Sequence, residues 1–168
     1  MDAERSSAAV GGQRSEVRLQ MSEIRKQGLA ALAEQQLKES ARIARINSAK
    51  DLTLYKAAYE LAMKIFELSK RFPTEEKFAL TSQIRRSSRS VCLNLREAWA
   101  KRRYEAHFVS KLTDSDGENS ETDSSLDFAR DCEYISTDEH RALTSKCAEI
   151  GRMLSGMMKK SSSFVSHD

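Results

Sequence analysis

Residues 113–125 read "TDSDGENSETDSS", thirteen positions with five acidic residues and without one apolar side chain. Such a segment suits a loop between domains, a calcium-binding loop, or a helix whose buried face is polar. An EF-hand loop needs glycine at its sixth position and an oxygen ligand at its first. Placing Gly117 sixth puts Leu112 first, and a leucine side chain cannot bind calcium. The calcium interpretation is therefore excluded.

The apolar residues that flank this segment keep the spacing of a helix. Leu112 and Leu126 are fourteen residues apart, which is two whole heptads. The positions in register between them are small or medium polar residues, namely Ser115, Asn119 and Thr122. A loop, the remaining alternative, has no reason to preserve this register. We therefore predict one helix over residues 104–133 with a polar middle, although Gly117 costs it about 1 kcal/mol relative to alanine.

Composition and periodicity predict an all-α fold. The 168 residues contain a single proline, Pro73, and few glycines, which leaves long stretches without helix breakers. Three further segments repeat apolar or small residues at alternating steps of four and three. These series are Leu54, Ala58, Leu61, Ile65, Leu68; Leu80, Ile84, Ser88, Val91, Leu95, Ala98; and Leu143, Cys147, Ile150, Leu154, Met157. Four such helices joined by short turns favour an antiparallel four-helix bundle over residues 49–160.

The helix ends and the two terminal segments carry weaker signals. We expect Pro73 to end the first helix of the bundle and Thr74 to cap the second. Ser136 or Thr137 is expected to cap the last. Residues 1–48 are predicted to be a flexible tail over 1–14 followed by an extra helix interrupted near Gly28. Residues 161–168 are predicted to be a disordered tail.

The sequence gives no sign of secretion or membrane insertion. The longest uncharged apolar run, "LAALA" at 29–33, is far shorter than the ~20 residues of a membrane span. The three cysteines, Cys92, Cys132 and Cys147, form no CxxC pair, which favours reduced thiols. We therefore expect a soluble cytoplasmic protein that makes no membrane contact.

Charge is unevenly distributed along the chain, although the net charge is only +3. Between residues 84 and 103 the single acid is Glu97, among seven basic residues. A basic helix can contact several phosphates. The candidate nucleic-acid residues are Arg89, Arg96, Lys101, Arg102 and Arg103. The last three also suit the negative C-terminal end of the helix dipole.

The alternative is that these charges pair inside the molecule. From Glu105 to Glu139 there are eleven acids and two bases. A third helix running antiparallel to the second would bring Glu118 and Glu121 towards Arg85, Arg86 and Gln83, and half-buried charges need such partners. The predicted structural polar network consists of Gln83, Arg85, Arg86, Asn94, Glu97, Glu118 and Glu121.

No catalytic or metal-binding constellation is present in the sequence. A di-iron bundle needs an E-x-x-H motif on each of two helices, and the chain contains none. His107, His140 and His167 are widely separated. We therefore expect no metal, no cofactor and no enzymatic activity.

Between Asp51 and Lys159 the chain resembles a known family. The resemblance is carried by "DLTLYKAAYELAMKIFELSKRFPTEEKFALTSQIRRSSRSV" at 51–91, Asn94, Glu97, "FVSKL" at 108–112, Glu118, "ET" at 121–122, "LDFARDCEYIS" at 126–136 and "EIGRMLSGMMK" at 149–159. These residues are similar to the four-helix-bundle proteins related to the protein encoded in intervening sequences of bacterial 23S rRNA genes. The sequence departs from the family pattern at Ser125, at Arg96 and throughout residues 1–48.

The resemblance implies an up-down bundle that assembles as a homo-oligomer, with a ring of five favoured. It also implies a possible RNA, DNA or reverse-transcriptase-like partner, since a similar bundle serves as the accessory protein of diversity-generating retroelements. No family member is recognised as an enzyme. Two functional hypotheses follow: an oligomeric module that presents a basic helix to nucleic acid or to a nucleic-acid enzyme, and a protein-interaction scaffold that binds no nucleic acid.

Overall fold

A computed structural model describes residues 2–44 and 46–165, and over these ranges it is all-α with no strand. The α-helices are α1 (Asp2–Ala44), α2 (Thr53–Leu68), α3 (Leu80–Lys101), α4 (Glu105–Asp131) and α5 (Thr137–Lys159). Short 3-10 helices occupy Ala49–Asp51, Ser69–Arg71, Thr74–Phe78 and Ser161–Phe164. The chain divides into two compact units, residues 1–45 and residues 46–168.

The first unit is the single helix α1, which runs for 43 residues. It passes through the segment 2–14, where a flexible tail was expected, and through Gly28, where an interruption was expected. A Cβ atom at Gly28 would meet nothing within 4 Å, so this glycine costs the helix only its low propensity. Five large apolar side chains on this helix are 57–72% exposed, namely Met21, Ile24, Leu29, Leu32 and Leu37, whereas Ile43 is partly buried.

The second unit has a hydrophobic core built from α2, α3, α4 and α5. Within this unit α2 packs against α3, α3 against α4, α4 against α5, and α5 against α2. The predicted apolar series supply the core, and the bulkiest fully buried side chains are Ile65, Ile84, Leu95, Phe108, Leu112, Leu126, Ile150 and Leu154. Burial of these faces is the main stabilising contribution to the unit.

The prediction that residues 104–133 form one helix is confirmed, because α4 extends from Glu105 to Asp131. Its polar middle faces inward, with Ser115, Asn119 and Thr122 all buried. Ser115 Oγ donates to Val91 O at 3.0 Å, and Asn119 Nδ2 donates to Cys147 O at 3.0 Å. Buried hydroxyl and amide groups are tolerated when they are hydrogen-bonded in this way.

Of two helix starts that were predicted, one is confirmed and the other is wrong. Ser136 caps α5 as predicted, and a capping box joins its side chain and backbone to Glu139. The prediction for Thr74 was wrong, because residues 74–78 form a 3-10 helix and α3 begins at Leu80. The carboxylate of Glu76 accepts a hydrogen bond from Leu80 N at 3.1 Å and thereby satisfies one free donor of the first turn.

The segment after α5 also differs from expectation. Where disorder was predicted from residue 161, Ser161–Phe164 forms a 3-10 helix. Ser161 Oγ donates to Glu105 Oε1 at 2.6 Å, and the Phe164 ring lies 6.0 Å from the Phe108 ring. These contacts tie the segment to the start of α4. Residues 166–168, which belong to the same prediction, lie outside the described residues.

Candidate functional site

A groove of about 500 Å³ runs along the outer face of α3. It is lined by Lys77, Phe78, Thr81, Ser82, Arg85, Arg86, Arg89, Ser90 and Leu93. The seven of these residues that lie on α3 recur at steps of three and four, which places them on one side of the helix, and Lys77 and Phe78 precede it. Four of the lining residues are basic and none is acidic. We refer to this surface as the basic groove.

Two of its arginines are anchored on α2. The guanidinium carbons of Arg85 and Arg89 lie 5.0 and 5.5 Å from the centroid of the Phe66 ring. Arg85 Nε also donates to Ser69 Oγ at 2.7 Å. A cation over an aromatic face contributes about 0.5–1 kcal/mol at an exposed site. Among the described residues, Arg85 has a hydrogen-bond partner only at Nε, which leaves its terminal nitrogens to a ligand.

The predicted pairing of Arg85 and Arg86 with Glu118 and Glu121 is absent. Arg85 turns towards α2, and Arg86 is exposed in the basic groove. Among the residues that the structure describes, Glu118 Oε2 and Glu121 Oε1 are buried without a hydrogen-bond partner. Gln83 is exposed and takes no part in this arrangement. Two arginines assigned to an internal network therefore belong to the surface.

The remaining members of the predicted network meet at Lys111 of α4. Lys111 Nζ lies 3.0 Å from Glu97 Oε2 and 3.0 Å from Asp114 Oδ2. It also donates to Asn94 Oδ1 at 3.5 Å. The hydrogen bond and positive charge of Lys111 lower the pKa of the Glu97 carboxyl. Sequence reasoning missed Lys111, although it is one of only two bases in an acidic stretch that faces α3.

Some basic residues near the end of α3 bind other groups of the molecule, and others are exposed without an ion pair. Arg102 Nη1 donates to Trp99 O at 2.8 Å, and the guanidinium lies 4.4 Å from the Trp99 ring. Arg102 thus caps the C-terminal end of α3 by binding a carbonyl of its last turn. Lys101 pairs with Glu97 at 3.7 Å. Arg96 and Arg103 are exposed, and neither forms an ion pair within residues 46–165. Of the predicted nucleic-acid residues, only Arg89 lies in the basic groove.

Phe78 is one of several groove residues that were not predicted from the sequence to belong to a site. It ends the 3-10 helix Thr74–Phe78 and is 87% exposed, more than any other large apolar residue described. Its position outside the apolar series that begins at Leu80 was the signal available in the sequence. An aromatic ring with a free face beside several arginines is a chemical feature of nucleic-acid surfaces.

A second groove of about 910 Å³ lies between α2 and α5. Its floor is apolar and includes Tyr55, Tyr59, Met63, Leu68, Ala142 and Leu143. The rings of Tyr55 and Tyr59 are stacked with centroids 6.4 Å apart. Its charged rim is mostly paired, since Glu60 binds Lys64 and Glu139 binds Arg71. We refer to this surface as the apolar groove.

Two of the three thiols are buried and protonated, and the described residues contain no cluster that could hold a metal ion. Burial raises the pKa of Cys92 to about 11 and that of Cys147 to about 12, which disfavours the nucleophilic thiolate. Cys132 is exposed. Within residues 2–44 and 46–165, no three His, Cys, Asp or Glu side chains are grouped so that they could hold a metal ion. In the same ranges, no helix has the length and apolar character needed to cross a membrane.

Comparisons with known proteins concern the second unit. Residues 50–156 match the sequence model of a family described as 23S rRNA-intervening sequence protein. A 1.70 Å crystal structure of a protein with unknown function from the S23 ribosomal protein family of Bacteroides thetaiotaomicron VPI-5482 is similar, with a TM-score of 0.60 and 31% sequence identity. The similarity covers 66% of this chain and 98% of that one. No curated protein matches the chain.

Proposed function

Because this chain belongs to the 23S rRNA-intervening sequence protein family, we propose that residues 46–165 form a non-enzymatic four-helix bundle that binds RNA or DNA through the basic groove. The observation that carries the proposal is the set Arg85, Arg86 and Arg89 on one helix face with no acidic residue in the lining. Uncompensated basic side chains at a surface attract phosphates and release condensed counterions.

The proposed bundle is antiparallel and runs up and down. Its support is the closed cycle of packing in which each of α2, α3, α4 and α5 lies against two others. The connections 102–104 and 132–136 span only a few residues, and such short links join antiparallel neighbours. The family resemblance adds assembly with copies of the same chain, with a ring of five favoured. A ring would repeat the basic groove and raise the avidity for a long nucleic acid.

The test is the salt dependence of binding to a mixed pool of RNA and DNA, with the mass in solution measured alongside. The affinity of the wild type should fall steeply between about 50 and 200 mM salt. The double variant Arg86→Glu with Arg89→Glu should flatten the slope by roughly 1 for each phosphate that the protein no longer neutralises. The matched control is Lys64→Glu with Arg141→Glu, which reverses two exposed charges outside the basic groove.

Two results would contradict the proposal. One is a wild-type protein of defined mass that shows no affinity at low salt. The other is an equal loss of affinity in the control variant, which would assign binding to total charge rather than to the basic groove. A defined oligomer without binding would direct attention to protein partners.

The second candidate function is a protein-interaction scaffold without nucleic-acid binding. Two separate observations favour it: the apolar groove of residues 46–165 and the exposed apolar side chains of α1. Exposed apolar patches mark interaction sites. Replacing Tyr59 by Ala, and in a separate variant Leu29 and Leu32 by Ser, should then weaken capture of a protein partner while leaving the nucleic-acid assay unchanged. Retention of the partner by both variants would exclude this role for these surfaces.

A further inference from the structure

The basic groove has a feature that phosphate binding alone does not require, which is the exposed Phe78 ring at one end. The ammonium group of Lys77 lies 5.2 Å from the centroid of this ring. Lys77 thus covers one face, and the 87% exposure of the residue leaves the remainder of the ring in solvent. A single exposed apolar side chain is common on protein surfaces, so it is the position of this ring in a groove with three arginines that points to a ligand.

The wall of the groove also holds an unused polar group. Thr81 is only 7% exposed and lines the groove, and its hydroxyl oxygen has no hydrogen-bond partner among the described residues. A buried hydroxyl without a partner costs about 1–3 kcal/mol. Helical threonines usually bond to a carbonyl one turn earlier, but the 3-10 geometry of Thr74–Phe78 precedes this one. Because this oxygen is itself buried, a ligand in the groove does not reach it, and the binding argument rests on the exposed ring and the arginines.

Two of the three arginines of the groove, Arg85 and Arg89, are held in place before any ligand arrives. Phe66 lies beneath both Arg85 and Arg89, and Ser69 Oγ fixes Nε of Arg85. Holding long side chains in position lowers the entropy lost on binding. From Leu80 to Arg89 the helix rises about 14 Å at roughly 1.5 Å per residue, and Phe78 lies just beyond this end. This length accommodates a few nucleotides.

We propose that the basic groove binds a single-stranded segment of RNA or DNA, with its phosphates on Arg85, Arg86 and Arg89 and one base stacked on Phe78. This inference rests on the proposed nucleic-acid function and specifies its substrate. In a duplex the bases are stacked on one another and their faces cannot reach an external ring. An unpaired base has a free face, and stacking on an aromatic side chain is tolerant of sequence. The arrangement therefore selects single strands without reading their sequence.

The experiment measures binding of the full chain to a short labelled oligouridine, to the corresponding DNA oligomer and to a duplex of equal length, each over a salt series. Phe78→Ala should weaken binding to both single strands by about tenfold and leave the salt slope unchanged, because stacking neutralises no phosphate. Binding to the duplex should not change. Arg86→Glu should weaken binding to all three probes and flatten every slope.

The matched control is Phe128→Ala, which removes another exposed aromatic ring on α4, outside the basic groove. It should alter no affinity. Because Phe78 is almost fully exposed, its replacement should leave the thermal unfolding midpoint and the mass in solution unchanged.

Three results would overturn the inference, and they are distinguishable from failure of the proposed function. If Phe78→Ala binds single strands as the wild type does while Arg86→Glu does not, the basic groove binds nucleic acid without stacking. If Phe78→Ala weakens duplex binding equally, the ring does not select single strands. If Phe78→Ala changes the mass in solution, the ring lies in a subunit interface. Absence of binding by the wild type would remove both proposals.

Discussion

Helices α2 and α4 bury their inner faces by different means. The buried residues of α2 are all apolar, namely Leu54, Ala58, Leu61, Ala62 and Ile65. Of the eight buried residues of α4, four are polar, namely Ser115, Asn119, Thr122 and Ser125. Apolar burial is non-directional and roughly proportional to area. Hydrogen bonds between buried groups require particular partners, so they add specificity to a helix pair rather than large stability.

The partners of the polar residues show what this specificity fixes. Ser115 and Thr122, one heptad apart, bond to Val91 and Ser87 of α3. Asn119, which lies between them, bonds to Cys147 of α5. The polar middle of α4 therefore sets the position of this helix against both neighbours, because a shift by one turn would break all three bonds. The buried face of α2 is apolar and fixes its position by packing instead of by directional bonds.

The largest expected loss of stability follows from a substitution in the apolar face of α2. Ile65 is 1% exposed in the core, and Ile65→Ala should lower the free energy of unfolding by about 3 kcal/mol through reduced burial and a residual cavity. Denaturant unfolding with an unchanged m-value would measure it. The control on the same helix is Met63→Ala, since Met63 is 42% exposed. A decrease below about 1 kcal/mol for Ile65→Ala would contradict the assignment of α2 to the core.

On the polar side, Thr122→Val keeps the shape of the side chain and removes its hydroxyl. Thr122 Oγ1 lies 2.9 Å from Ser87 Oγ and 2.8 Å from Glu118 O. Loss of this hydrogen bonding should lower the free energy of unfolding by about 1 kcal/mol, well below the effect at Ile65. A double-mutant cycle with Ser87→Ala isolates the bond between the two hydroxyls. Additive effects in the cycle would mean that this bond contributes nothing to the α3–α4 contact.

The contrast between α2 and α4 was largely predictable from the sequence. Heptad spacing across residues 113–125 indicated that α4 continues and that Ser115, Asn119 and Thr122 face inward. The spacing of apolar residues is a property of many positions together, so a helix can be predicted from it even where single positions depart from the pattern. This is why the helices were predicted better than the contacts that their side chains make.

The basic groove was less predictable, and Arg85 shows the reason. A long, flexible side chain at that position can reach α4 or α2, and the choice depends on the Phe66 ring and the Ser69 hydroxyl of a different helix. The start of α3 depends likewise on one side chain, because the Glu76 carboxylate caps Leu80 N. Neither contact leaves a periodic signal in the sequence. Side-chain direction and helix boundaries therefore required the structure.

Replacing Gly117 by alanine tests, with a smaller expected change in stability, whether the polar middle of α4 behaves as ordinary helix. A Cβ atom at Gly117 would meet nothing within 4 Å, and Gly156 on α5 is equally open. Both substitutions to Ala should raise the free energy of unfolding by about 0.5–1 kcal/mol, because alanine loses less backbone entropy in a helix. Thermal or denaturant unfolding measures both. Stabilisation at Gly156 with destabilisation at Gly117 would show that α4 depends on local flexibility in its polar middle.

The smallest expected change in the free energy of unfolding is at Asp123, which lies on α4 beside Cys147. Burial is the main cause that raises the pKa of Asp123, and repulsion by Asp127 adds to it, against opposing contributions from His140 and the Cys147 thiol. Since the folded-state pKa exceeds the unfolded one, the charged carboxylate destabilises the fold above both values. This destabilisation fades as the pH falls through the raised folded pKa. Asp123→Asn should thus raise the free energy of unfolding at neutral pH by less than about 0.5 kcal/mol, with the gain vanishing in acid.

Asp131 on the same helix is a control, because its pKa is shifted in the opposite direction from that of Asp123. The hydrogen bond and charge of Arg130 lower the pKa of Asp131, so its contribution to stability is present at neutral pH and is lost as the pH falls through the folded pKa. Asp131→Asn should therefore destabilise the protein at neutral pH and have no effect in acid. Denaturant unfolding of both variants at several pH values measures the two differences. If Asp123→Asn also lowers the free energy of unfolding at neutral pH, burial does not disfavour the charged form of Asp123, and the partly buried part of α4 accepts charge as readily as its exposed end does.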